Sequence, residues 1–114
     1  DMAVGTPKRL AGPSYLANSA TNIYNPASGI VAYLRQIHLA NKTGSAATYS
    51  LYIGATGGSA GGTELAGAVS LAANSCVDLF FADLVMKNAD FLSGLSGTAS
   101  AIVVTVIGLE KVID

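Results

Sequence analysis

Few residues in this chain have the types and spacing that chemistry demands. Residues Gly57-Gly58-Ser59-Ala60-Gly61 spell G-x-S-x-G, the pattern of a nucleophile elbow, in which a strained strand-to-helix turn lifts a serine clear of an α/β sheet. That chemistry also needs a histidine after the serine, and the sole histidine, His38, comes before it. At 114 residues the chain is also too short for the α/β-hydrolase fold. A small hydrolase built on Ser59 and His38 is therefore a reading to be tested, and a chance match in a Gly/Ala/Ser-rich loop is the expectation. His38 stands between Ile37 and Leu39, with no carboxylate or nucleophile set beside it by spacing. A surface or interface histidine is expected.

The other candidates also fall short of a reactive constellation. Asp78, Asp83 and Asp90 are too widely spaced for an EF-hand loop and lack its closing Glu, so they read as strand-exterior or turn carboxylates. The glycine loop lacks the Lys-Ser/Thr of a phosphate-binding loop. Asn41-Lys42-Thr43 is a glycosylation sequon, but the start of the chain shows neither a basic nor an apolar leader region, so no signal peptide is expected and Asn41 reads as a turn former. Tyr33, Tyr49 and Tyr52 would make a sugar-stacking platform if one concave surface presented two or more of them. The chain has no Trp, which weakens that reading. Cys76 is the single cysteine, which excludes an internal disulfide framework and a cysteine-based zinc site. These residues point to no enzymatic activity, no cofactor and no metal.

Composition speaks of assembly instead. Charged residues make up 11% of the chain and hydrophobic ones 51%, where a solitary soluble domain carries about 25% Asp, Glu, Lys and Arg to keep its exterior wet. Much of this exterior is expected to be hidden against other chains. The net charge is −1 and the six basic residues are scattered, so no stripe exists to follow a phosphate backbone and no direct nucleic-acid partner is expected. The longest apolar stretch, Ala101 to Gly108, covers less than half of the roughly 20 residues of a membrane helix. No membrane partner is expected.

The elements that must position these residues read as β throughout. Residues 1–29 are polar and punctuated by Pro7, Gly12-Pro13, Asn25-Pro26 and Ser28-Gly29, which suits an N-terminal arm or edge-strand segment lying across a neighbouring subunit. Residues 30–114 form the sandwich domain. Ile30 to Asn41 is a strand with Ile37 and Leu39 inward, and a bulge near Leu34 turns that residue inward as well. Ala47 to Gly54 alternates cleanly, and the two segments are expected to pair as an antiparallel hairpin. The Gly-rich loop 54–62 leaves nothing to pack. Glu64 to Leu71, Cys76 to Phe81, Phe91 to Leu95 and Ala101 to Leu109 supply further strands or irregular segments. Short strands between turn signals predict a single all-β antiparallel sandwich, jelly-roll-like, with Ile37, Leu39, Leu51, Ile53, Leu79, Phe81, Val104 and Val106 in its core.

The run Tyr33-Leu34-Arg35-Gln36-Ile37-His38-Leu39-Ala40-Asn41-Lys42-Thr43 resembles the small β-sandwich virion proteins of tailed bacteriophages, as do Leu51-Tyr52-Ile53-Gly54 and Asn88-Ala89-Asp90-Phe91-Leu92-Ser93-Gly94-Leu95-Ser96 with Ala101 to Gly108. The resemblance spans roughly residues 30 to 110 and rests on strands and turns. It implies a non-enzymatic structural subunit, a capsid decoration or head, neck or tail accessory protein. It also implies assembly in the bacterial host cytoplasm, residence in the virion, and contact with proteins such as the major capsid protein. A homo-oligomer is expected, with a trimer favoured by the resemblance. The alternative is a carbohydrate-binding or adhesin-type jelly roll. The interface is expected at Val103, Thr105 and Ile107, since the strand at Ala101 to Ile107 is apolar on both faces, and at Tyr15 and Tyr24.

Overall fold

A computed structural model describes residues 6–55 and 62–113. Eight strands carry all the regular structure among them: β1 (Pro7–Tyr15), β2 (Thr21–Tyr24), β3 (Ile30–Asn41), β4 (Ala47–Gly54), β5 (Glu64–Leu71), β6 (Ser75–Met86), β7 (Phe91–Ser96) and β8 (Ile102–Val112). They form two four-stranded antiparallel sheets, ordered β1-β8-β3-β6 and β2-β7-β4-β5. Only the β4–β5 link joins neighbours within one sheet; every other connection crosses between sheets. That is the eight-stranded jelly roll.

The core lies between the sheets, where period-two alternation turns one side of each strand inward. Ile37 and Leu39 of β3, Val106 of β8, Leu51 of β4 and Leu92 of β7 are fully buried, and Val104 is 1% exposed. Ile53, Leu79 and Phe81 pack against this cluster while partly open. All the expected core positions thus face the core. Burying each large aliphatic side chain contributes about 1.5 to 3 kcal/mol.

The bulge expected near Leu34 falls at Arg35. Leu34 pairs with Gly108 and Gln36 with Ile107, so Arg35 has no partner on β8. On the other flank Leu34 meets Leu84 and Gln36 meets Phe80. One residue of β3 therefore opposes three of β6, and Asp83 takes a φ of 57° there. The offset lets Leu34 and Ile37, three apart, both enter the core. Gly108 allows this crossing, because a Cβ there would stand 2.2 Å from the Tyr33 carbonyl oxygen.

The expected β3–β4 hairpin does not form. β3 is flanked by β8 and β6, while β4 lies in the opposite sheet between β7 and β5. Asn41 supplies the physical reason. It is 2% exposed, and its Nδ2 donates to the carbonyl oxygens of Ser45 at 2.9 Å, Leu71 at 3.0 Å and Ala72 at 3.3 Å. Its Oδ1 accepts from the Thr43 amide and hydroxyl. The turn is thereby tied to the end of β5, and the chain passes between sheets instead of folding back.

Residues 7–24, expected as an arm or edge segment, supply one edge strand to each sheet. Leu16 is 2% exposed and Tyr24 8%, so this segment has apolar anchors in its own core. β6 is twice the expected six residues, running on past the bulge to Met86.

Candidate surface for assembly

The two outer faces of the sandwich differ. On the β2-β7-β4-β5 sheet the outward positions include the polar Thr48, Ser50, Ser70 and Asn22 together with Tyr52, Phe91 and Leu95. The β1-β8-β3-β6 sheet presents a grid that registers across its strands. Along β8, Val103, Thr105, Ile107 and Leu109 point away from the core, because Val104 and Val106 point into it. Ala40 and Cys76 continue the row from Val103, with Tyr15 on its other side. The row from Ile107 runs to Gln36 and Phe80 and, across β1, to Arg9. Leu109 is flanked by Pro7 and Tyr33, and Tyr33 by Val85. Phe80 is 72% exposed, Val85 48% and Tyr15 47%.

A polar row crosses this apolar grid. Thr105, His38 and Asp78 are consecutive cross-strand neighbours on β8, β3 and β6. His38 Nδ1 lies 2.6 Å from Asp78 Oδ1, which also accepts a bond from Gln36 Nε2 at 2.8 Å. The hydrogen bond from His38, and then that from Gln36, hold the Asp78 carboxyl below its usual range. Sequence reasoning missed this pairing, since 40 residues separate the partners. Strand register alone brings them together.

Four of the five residues expected at an interface sit on this face: Val103, Thr105 and Ile107 in one column, and Tyr15 beside Val103. Lys42 Nζ stands 5.2 Å above the Tyr15 ring, capping it with a cation. Tyr24 is elsewhere. It is buried in the core, and its hydroxyl donates to Glu110, whose other oxygen accepts from Lys8 at 2.7 Å. Burial, followed by the contact with Glu110, pushes the Tyr24 hydroxyl well above the ordinary tyrosine range. Lys8, and then Tyr24, hold the Glu110 carboxyl low.

The remaining candidates fall apart in space. Tyr33 faces outward from one sheet, Tyr52 faces outward from the other, and Tyr49 is 4% exposed in the core between them. No single platform holds two of these rings. Asp83 pairs with Arg35 at 2.8 Å, and Asp90 accepts from the Lys87 amide. Ser59 and its glycine-rich motif lie outside the described residues. Among the described residues no group of three His, Cys, Asp or Glu side chains is placed to hold a metal ion. A depression of about 130 Å³ between β1 and β2 has Tyr15 as the one titratable group in its lining.

The fold and this face define a jelly roll whose β1-β8-β3-β6 sheet presents apolar rows crossed by one polar row on its outer side. No family model matches the chain, and no curated protein matches it. Among solved structures it is similar to a chain described under "Bacillus endospore appendages form a novel family of disulfide-linked pili", with a TM-score of 0.53 and 17% identity. The similarity covers 98% of this chain and 92% of that one. At that identity what is shared is the fold.

Proposed function

We propose that this chain is a non-enzymatic structural subunit that associates with copies of itself through the outer face of the β1-β8-β3-β6 sheet. The observation that carries the reading is the apolar outer side of β8 and the exposed rings that flank it. A sandwich strand buries one side and wets the other, yet β8 is apolar on both: its outward Val103 pairs with the half-exposed Tyr15, and its outward Ile107 shares a row with Gln36 and the exposed Phe80. The molecule extends 49 × 26 × 20 Å, so a face along its two longer dimensions has room for the roughly 800 Å² per partner of a standard interface. The similar chain belongs to pili, which supports the use of such a jelly roll as a repeating part.

The particle we propose is a tailed-phage virion, with the chain as a capsid decoration or a head, neck or tail accessory protein in contact with the major capsid protein. The strand and turn pattern of residues 30 to 110 supports this, and a trimer is the assembly that goes with this reading. A gene flanked by capsid, portal or tail genes would agree with it. Flanking genes for cell-surface appendages would redirect it.

Sedimentation tests the association. The unmodified chain should form a discrete oligomer at micromolar concentration, and Val103→Asp should lower the association constant at least about tenfold, since a carboxylate on a buried apolar contact costs more than 1.4 kcal/mol. The matched control is Ser70→Asp on the outer side of the other sheet. Ser50 is unsuited to that part because it is buried and its hydroxyl accepts from the Ala68 amide. A folded chain that remains monomeric, or equal effects of the two variants, would refute the proposal.

A further inference from the structure

Each sheet ends in two strands hydrogen-bonded on one side only, and the four edges are β1, β6, β2 and β5. Unpaired backbone donors and acceptors along an edge form a template for another strand, and proteins that stay single interrupt theirs. Three of these edges are interrupted. β1 carries Pro7 and Pro13 and breaks register twice against β8. β2 has four residues and one break. β5 breaks register twice against β4, and its Ala68 sits at a φ of 48°.

β6 is different. From Gln36–Phe80 to Asn41–Ser75 it pairs with β3 residue for residue, and this stretch holds no proline, lysine or arginine. Its core-facing Val77 and Leu79 are half-buried, whereas Ile37 and Leu39 beside them are fully buried, so the outer margin of the strand is uncovered. The single charge within residues 75–80, Asp78, is already bound by His38 and Gln36. A carboxylate so engaged is a weakened guard against strand addition.

We propose that β6 pairs antiparallel with β6 of a second copy, joining two β1-β8-β3-β6 sheets into one continuous sheet across a two-fold axis. The inference rests on the self-association proposed above but uses the sheet margin, a surface separate from the Val103–Ile107 column. A second copy is the occupant because this strand complements itself, and one patch suffices for a closed two-fold contact. Antiparallel partners keep their side chains on a common face, and like charges directly opposite repel. An axis through Asp78 would set two carboxylates together. An axis through Val77 sets Cys76 opposite Asp78 of the second copy and keeps Ser75 to Leu79 within the unbroken run.

Amide hydrogen exchange on the full chain, read at residues 75–79 below and above the concentration of association, tests the contact. The outward amides of this segment should slow by about tenfold or more on association. Unchanged exchange in an associated sample would overturn the edge contact and leave self-association standing, while a chain that never associates would overturn both. A second measurement fixes the register. Asp78→Cys beside the native Cys76 should yield interchain disulfides under mild oxidation, since directly opposed Cβ atoms lie within about 5.5 Å. The unmodified chain should not, because its two Cys76 residues would be diagonal neighbours about 8 Å apart. Cross-linking of Asp78→Cys in a Cys76→Ser background would overturn the Val77 register, and absence of cross-linking with Cys76 present would overturn the pairing. Circular dichroism establishes that each variant is folded.

Discussion

At the scale of single residues, buried polar groups are the sharpest features of this molecule. Asn41, itself buried, uses both protons of its amide nitrogen on three carbonyls and its oxygen on Thr43. Replacing it with Leu strands the buried Leu71 acceptor, which costs about 1 to 3 kcal/mol when unsatisfied, and removes the bonds that hold the turn. Asn41→Leu should lower stability by at least about 2 kcal/mol in denaturant unfolding. Asn41→Asp should do comparable harm, because a carboxylate cannot donate. The same bonds answer the sequon, since the nitrogen that a glycan would need is already engaged. Glu110 carries a pH dependence. Its carboxyl is held low by Lys8 and then Tyr24 in the folded state, so its contribution is present above the ordinary glutamate pKa of about 4.3 and lost as pH falls through the lowered value. Unfolding measured from pH 6 down to pH 3 should show a shallower acid loss in Glu110→Gln than in the unmodified chain.

Individual strands were largely legible in the sequence, and their partners were not. Alternation of Tyr49, Leu51 and Ile53 marks β4 and its inward side without ambiguity, because period two is a local property. Which sheet receives β4 depends on Asn41 reaching carbonyls of Leu71 and Ala72, about thirty residues away, and no local pattern encodes that. The pairing of His38 with Asp78 was hidden for the same reason. Arg35, in contrast, could be inferred from within β3, since Leu34 and Ile37 are both large and apolar yet three apart. A bulge residue is dispensable to parity, whereas a residue in regular pairing is not. Deleting Arg35 leaves Leu34 and Gln36 as successive partners of Gly108 and Ile107, with every inward side chain still inward. Deleting His38 instead reverses the strand on one side of the cut. Thermal melting should find the Arg35 deletion folded, with a modest loss, and the His38 deletion unfolded or lower by several kcal/mol.

The whole molecule is a plate with unlike sides, and its N-terminal strand belongs to it. Leu10, Ala11 and Leu16 pack on the core, so removing residues 2–20 strips an edge from β8 and does not merely free an arm. The order β1-β8-β3-β6 also sets a timetable for synthesis. β8, the last of the eight strands to leave the ribosome, must enter between β1 and β3. Lys8 and Glu110, which meet across that joint, are 102 residues apart in the chain. Until β8 emerges, β1 has no neighbour and one flank of β3 stands bare. The nascent chain therefore cannot mature from its beginning onward, and its central sheet closes in a single late event. Topologies dominated by such distant pairings fold in roughly milliseconds to seconds, which leaves apolar strand margins open to neighbours while copies are being made side by side. If copies associate as proposed, the order of arrival of the strands governs whether they meet as folded parts or as unfinished ones.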